Sequence, residues 1–344
     1  MNFIDMVKQS KAVRVTESLV SVNQTVKLPS YAGESKSGKG PRYVTWGDKD
    51  SNAVLDSVQS QANRIEAIFT EYKDLVPATQ VVYPDCTIPL VEVPHRGADP
   101  AISYYFRKEL DALTKAPGAL AKLNPTAFLF GICDIRNGRN IRLTRAIASD
   151  VTIRNGVMRP SASSLSTPLS NETRGKYAEQ CSHYKLDLAE IGLEQIPAWS
   201  ERGTIDASTA TITRTVVFSV EVFDRYKNDR ALYDYLLGLA VVAVLAPTTS
   251  VLRSGTTLVR QSRKVQLFED LKPAENVPED GLFDEVLTFA RAAAKKFGVG
   301  EAKTLTVDID TIIKEAKCGD ETKKTTAARK NSKAAEAGAA SASV

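Results

Sequence analysis

Arginine is concentrated in two stretches of this sequence. Residues 136–159 hold six arginines against a single acid, Asp150, and residues 252–264 hold Arg253, Arg260, Arg263 and Lys264 with no acid at all. A guanidinium presents a planar fork of donors that meets two phosphate oxygens at once, so such runs suit a polyanion. They equally suit a solvated strand face, and charge by itself leaves both readings open. A smaller cluster lies in the segment DSVQSQANRIE, residues 56–66. At about 100° per residue, Ser60, Asn63 and Arg64 fall opposite the Val58, Ala62 and Ile65 stripe. That polar triad can grip a phosphate or a sugar, or it can be an ordinary solvent face.

Acid–base and metal chemistry have few resources here. The only histidines are His95 and His183. His95, between Pro94 and Arg96, can cap a turn, contact RNA, or act as a general base with Arg96 as a phosphate clamp, as in a metal-independent RNA endonuclease. Cys181 and His183 offer two metal ligands without partners, where a structural zinc site needs four. Asp134 and Asp150 flank an arginine-rich hairpin, where ion pairing is a simpler role than catalysis. The expectation is a protein that is not an enzyme, with no metal site and no cofactor.

The elements that must carry these residues interleave strands and helices. Residues 12–28 read as a strand, and 30–49, with four glycines among basic residues, as a mobile basic loop. A helix is expected from Asp50, its apolar positions Val54, Val58, Ala62, Ile65 and Phe69 facing a core. Strands are expected at 80–83 and 87–93 and a helix at 99–113. A continuous apolar strand over 127–135 then turns at Asn137-Gly138 into a second strand from Asn140. In that second strand Ile141, Leu143, Ile147, Val151 and Ile153 share one side, and Arg145 falls among them. Either the strand bulges there or Arg145 reaches a buried anionic partner. Residues 160–184 read as an irregular excursion, 209–222 as a strand with Ile212, Val216, Phe218, Val220 and Val222 inward, and 229–246 as a buried helix stopped by Pro247. A strand pair over 251–267, an amphipathic helix over 282–297 capped by Gly298, and a strand at 304–309 complete the pattern. This mixture predicts an α+β sheet with helices on one face, of which the ferredoxin-like arrangement is one case.

The totals set bounds. A chain of 344 residues, 43% hydrophobic and 25% charged, buries a sizeable core as one domain with insertions or as two. The start, MNFIDMVK, has an early acid and no long apolar run, which speaks against a signal peptide. The most apolar stretch, 236–246, is 11 residues long, short of the roughly 20 that span a membrane. Four cysteines without Cys-x-x-Cys spacing are expected as reduced thiols in a cytoplasmic protein. From about residue 317 the sequence is low in complexity, rich in Lys, Ala, Ser and Thr, and is expected to be a disordered tail over 317–344.

The run SVQSQANRIE, residues 57–66, resembles a hallmark of the backbone subunit of type I-G (formerly I-U) CRISPR Cascade complexes, in the RAMP superfamily. His95-Arg96-x-x-Asp99, Phe128-x-Phe-Gly131 with Arg145 and Ser149, Leu193-x-x-Ile-Pro197 and Leu252-Arg-Ser-Gly255 with Leu258 follow in the family's order. The resemblance implies a palm built on a modified RRM/ferredoxin-like fold over residues 1–316, with finger and thumb insertions, 160–208 being the candidate thumb. It implies copies polymerising as a helical filament along guide RNA, gripping its backbone and leaving bases to pair with a target DNA strand. Other Cascade subunits and a helicase-nuclease are the implied partners, with no membrane involved. Such a carrier needs backbone contacts more than base readers. The expected RNA contacts are Ser60, Asn63, Arg64, His95, Arg96, Arg145, Ser149, Arg253 and Ser254, within the matching motifs, and Arg142, which lies on the polar face of its strand. No aromatic RNA-recognition signature is present, and a RAMP endoribonuclease processing guide-RNA precursor or a non-CRISPR RNA-binding protein are the rival readings.

Overall fold

Alternation of apolar side chains makes the centre of the molecule. The computed structural model describes residues 2–30, 43–93, 104–134, 140–159, 169–186, 188, 190–193, 203–249, 251–269, 273–308, 310–311 and 313. Within them, β1 (Ala12–Ser21) is sandwiched between β12 (Thr211–Ser219) and β14 (Thr256–Phe268). Val13 faces Phe218 and Leu267 across the two ladders, and Val15 faces Val216 and Val265, all of them buried. The sheet continues through β9 (Ile147–Arg154), β4 (Asn52–Asp56) and β3 (Thr45–Trp46) on one side, and through β13 (Val251–Arg253) and β15 (Pro273–Val277) on the other. Every pairing in it is antiparallel. Three small sheets surround it: β10 (Val157–Met158) with β11 (Thr204–Asp206) and β2 (Thr25–Lys27); β16 (Thr304–Thr306) with β5 (Gln80–Val82) and β6 (Thr87–Pro89); and β7 (Ile132–Asp134) with β8 (Ile141–Leu143).

The described helices are α1 (Phe3–Gln9), α2 (Val58–Ala67), α3 (Arg107–Asp111), α4 (Pro117–Ala121), α5 (Thr126–Phe130), α6 (Asn171–Ser182), α7 (Arg230–Leu245) and α8 (Leu282–Phe297). Helix α7 is buried along almost its whole length, which its unbroken apolar run requires. Asp229 caps it by accepting from the Leu232 N–H at 3.1 Å. Inside, the Tyr235 hydroxyl donates to the Leu75 carbonyl at 2.8 Å, so the buried phenol is satisfied. Helix α8 crosses α7 at Gly238, where a Cβ would lie 2.9 Å from the Ala290 Cα, and ends at Gly298 in the left-handed region. This is an α+β fold.

Several local expectations are corrected. The helix expected from Asp50 begins at Val58, and Asn52–Asp56 is strand β4, so Val54 belongs to a sheet. The apolar run at 127 is helix α5 followed by the short strand β7. Periodicity cannot separate a buried helix from a buried strand in so short a run. Gly131, at φ 83°, ends α5, and a Cβ there would stand 2.9 Å from the Leu143 carbonyl oxygen, so β8 closes against bare backbone. The strand from Asn140 is two strands, broken between Leu143 and Ile147. Within the excursion expected at 160–184, residues 171–182 form α6, capped by Ser170. The turn at 137–138, residues 31–42 of the basic loop, 160–168 and 194–202 in the candidate thumb, and the tail lie outside the described residues.

The buried residues form two apolar groups. The larger is centred on α7 and the Val13, Val15, Val216, Phe218, Val265 and Leu267 face; the smaller joins Val26, Leu55, Val151, Ile153, Ile212 and Leu258. Between them, on the same face of the sheet, runs a row of polar side chains: Ser149 on β9, Arg214 on β12 and Glu17 on β1, all buried, and Arg263 on β14, its side chain 9% exposed. Glu17 is the ladder partner of both Arg214 and Arg263.

Candidate nucleic-acid interface

The polar row is completed from the strand-to-helix junction at Asp56. Asp56 ends β4, Ser57 caps α2 by accepting from the Ser60 N–H, and the first turn of α2 then sets Gln61 facing the sheet. The Gln61 amide donates to Asp56 Oδ2 at 2.6 Å. Its carbonyl oxygen accepts from Ser149 Oγ at 3.1 Å and from Arg214 Nε at 2.9 Å. Arg214 Nη1 donates to Glu17 Oε2 at 2.9 Å, and Glu17 Oε1 accepts from Arg263 Nη2 at 2.8 Å and Arg260 Nη1 at 3.2 Å. Arg263 also reaches the Leu245 carbonyl at the end of α7, at 3.0 Å.

Asp56 is only 2% exposed and serves two more arginines. Arg64 Nε donates to Asp56 Oδ2 at 3.0 Å, while its Nη1 and Nη2 donate to the Val251 and Leu252 carbonyls at 3.2 and 2.6 Å. Arg253 stands 3.6 Å from Asp56 Oδ1 and donates to the backbone carbonyls of Lys27 (2.8 Å) and Leu55. Arg64 and Arg253 thus fasten the short edge strand β13 to α2 and β4. Asp56–Gln61–Arg214–Glu17 forms one continuous hydrogen-bonded layer, and four further guanidinium groups, those of Arg64, Arg253, Arg260 and Arg263, attach to its two carboxylates.

Protonation follows that geometry. Burial pushes the Glu17 carboxyl up, and the guanidinium groups of Arg214 and Arg263 beside it reverse this, leaving it below its ordinary value. For Arg214, burial lowers the guanidinium, Glu17 opposes that, and repulsion from Arg263 and Arg260 adds to it. Asp150, on the opposite side of β9 from Ser149, is raised by burial.

The residues expected to contact RNA are therefore sorted by the structure. Arg64, Arg253 and, through Gln61, Ser149 meet in one network. Ser60 is half-buried and Asn63 exposed on α2, but Arg64 bends away from them to Asp56. Arg145 lies in the break between β8 and β9, not on a bulge, and among the described residues no acid pairs with it. Its Nε donates to the Phe130 carbonyl at 3.2 Å and its Nη2 to Gln59 Oε1 at 2.8 Å, beside the start of α2. Arg142 is exposed on β8, paired with Cys133 in the separate two-stranded sheet. Ser254 is exposed in the turn after Arg253. His95, Arg96 and Asp99 lie outside the described residues. Glu17, Gln61, Arg214, Arg260 and Arg263 were not among the expected contacts. Glu17 and Arg214 share the parity of Val13/Val15 and Val216/Phe218, and that mismatch was the signal available.

Because among the described residues Arg145 bonds only to a carbonyl and an exposed glutamine, Arg145→Ala is expected to leave the fold intact, lowering stability by about 1 kcal/mol or less. Thermal unfolding measures this, and a loss of several kcal/mol would mark Arg145 as a structural anchor instead.

Among the described residues no group of three or more His, Cys, Asp or Glu is placed to hold a metal ion. No described helix is long and apolar enough to cross a membrane.

Residues 23–155 match the model of a family described as CRISPR-associated protein GSU0053. Over that stretch, under half of the chain, the protein is similar to a CRISPR-associated family. The stretch contains Asp56, Gln61, Arg64, Arg145 and Ser149, and it ends before Arg214, Arg253, Arg260 and Arg263. No curated protein matches the chain. Among solved structures, a chain of a "CRISPR RNA-guided surveillance complex, pre-nicking" aligns at 10% identity and TM-score 0.30, over 85% of this chain and 95% of that one. That score is too low to establish a shared fold.

Proposed function

We propose that this chain is a non-catalytic CRISPR effector subunit that binds guide RNA along its sugar-phosphate backbone. In this reading it is a type I-G backbone subunit with a RAMP palm. Copies assemble as a filament on the guide and leave its bases to pair with target DNA, which a separate helicase-nuclease cuts. The observation that carries the reading is the match of residues 23–155 to a CRISPR-associated family, the stretch holding the 57–66 run and the Arg145 and Ser149 block. The surplus of guanidinium groups around Asp56 and Glu17 supports it, because backbone binding rests on phosphate contacts.

Co-expressed with a guide-RNA precursor, the protein is expected to purify as a large assembly with RNA of defined length. An RNA-free monomer under those conditions sinks the proposal. RNA without a regular oligomer favours a single-subunit RNA-binding protein. The assembly is also expected to leave labelled target RNA intact in the presence of divalent metal; cleavage abolished by His95→Ala would point to the endoribonuclease.

A further inference from the structure

Above the polar layer lies a cleft of about 380 Å³, lined by Glu17, Gln61, Arg214, Leu252 and Arg260 among others. Its charge is unbalanced. Glu17 alone holds Arg214, Arg263 and Arg260, with Glu279 a more distant partner of Arg263 at 3.9 Å. Asp56 holds Arg64 and Arg253. Among the described residues around Glu17, three guanidinium groups thus face two carboxylates, Glu17 and the more distant Glu279.

A buried ion layer serving structure alone is best balanced, since uncompensated charge in a low-dielectric site is unfavourable. Two details indicate where the missing negative charge belongs. Arg214 is 3% exposed and, among the described residues, its Nη2 has no hydrogen-bond partner, although buried donors are almost always paired. Arg260 has its side chain 42% exposed and holds Glu17 through Nη1, on a carboxylate that Arg214 and Arg263 already occupy at shorter distances. It can leave Glu17 for a ligand without stranding that carboxylate. No aromatic side chain lines the cleft among the described residues, so it offers a base nothing to stack on. The chemistry on offer is for phosphate.

We propose that this cleft is a phosphate-binding site in which Arg260 turns from Glu17 to the phosphate while Arg214 supplies fixed positive charge beneath it. That the phosphate belongs to an RNA backbone rests on the function proposed above; a free phosphate ligand is the other source of the same chemistry.

Wild type and Arg260→Gln are compared by anisotropy with labelled single-stranded RNA of mixed sequence over a range of salt, and by calorimetry with inorganic pyrophosphate. Thermal unfolding checks that the variant is folded. Arg260→Gln is expected to weaken RNA binding about 5-fold for every sequence and to reduce the salt slope by about 0.7, one phosphate contact on a single strand. Loss of pyrophosphate binding with unchanged RNA binding also supports the cleft, and assigns it to a free phosphate ligand. If neither ligand responds to the substitution, the cleft is not a phosphate site, while the RNA-binding reading stands on the wild-type result. If wild type binds pyrophosphate through Arg260 but no RNA, the cleft stands and the RNA reading falls.

Discussion

Glu17→Ala is expected to destabilise the protein by about 3–5 kcal/mol, the loss typical when one partner of a buried ion pair is removed. The carboxylate is the only described one that touches Arg214, and it touches Arg263 at 2.8 Å. Its removal leaves two guanidinium groups facing each other between two apolar cores. A domain with a net stability of about 5–15 kcal/mol loses a large fraction of it, so urea midpoints of wild type and variant separate clearly. Glu17→Gln keeps the shape and part of the hydrogen bonding, and falls between them. The pH dependence follows from the lowered Glu17 carboxyl. A group whose folded value lies below its ordinary 4.5 contributes stability that is present above that pH and is lost as pH falls through the folded value. Wild type should therefore weaken in acid below about pH 4.5, and Glu17→Gln should lack that part of the slope. Equal acid sensitivity in the two proteins would assign the effect to other carboxylates.

The largest elements of this fold were readable from the sequence for simple reasons. Residues 229–246 present an apolar run bounded by an Asp cap and a proline, and 282–297 an amphipathic pattern ended by Gly298; both are helices of nearly the expected length. The strand pair at 251–267 appears as β13 and β14. The polar layer was less readable because each member sits alone in its strand. On β12, Ile212, Val216 and Phe218 define an inward face, and Arg214 occupies a gap in it; Glu17 does the same on β1. Only the ladder register puts these two gaps opposite one another, and register depends on contacts far apart in sequence. The same kind of parity argument singles out Arg145, yet the strand is interrupted at that point and its parity does not carry through. Arg64 lay on the polar side of α2 by helical angle. Its length lets it reach back to Asp56, a contact that angle alone does not reveal.

That contact sets the second large effect. Asp56 accepts from Gln61 at 2.6 Å and Arg64 at 3.0 Å and lies 3.6 Å from Arg253, while itself almost wholly buried. Asp56→Ala takes the common acceptor from all three, and a loss of about 3–5 kcal/mol is expected for a buried, multiply bonded carboxylate. The damage has a direction. Arg64 and Arg253 hold β13 through the Val251, Leu252, Lys27 and Leu55 carbonyls, and β13 is a three-residue edge strand that, among the described strands, pairs only with β14. Once the arginines lose Asp56, the amides of residues 251–253 should exchange with solvent faster than those of α7, which draws on a different core. Arg64→Lys tests the same joint from the other side: an ammonium keeps the charge but cannot serve Asp56 and two carbonyls in one plane. It should therefore also loosen β13. Were Arg64 mainly a phosphate contact, Arg64→Lys would leave exchange at 251–253 unchanged and retain RNA binding, because a point charge suffices for phosphate. Faster exchange confined to β13, together with a lowered unfolding midpoint, identifies Arg64 as the clamp that holds this strand at the edge of the arginine-rich cleft.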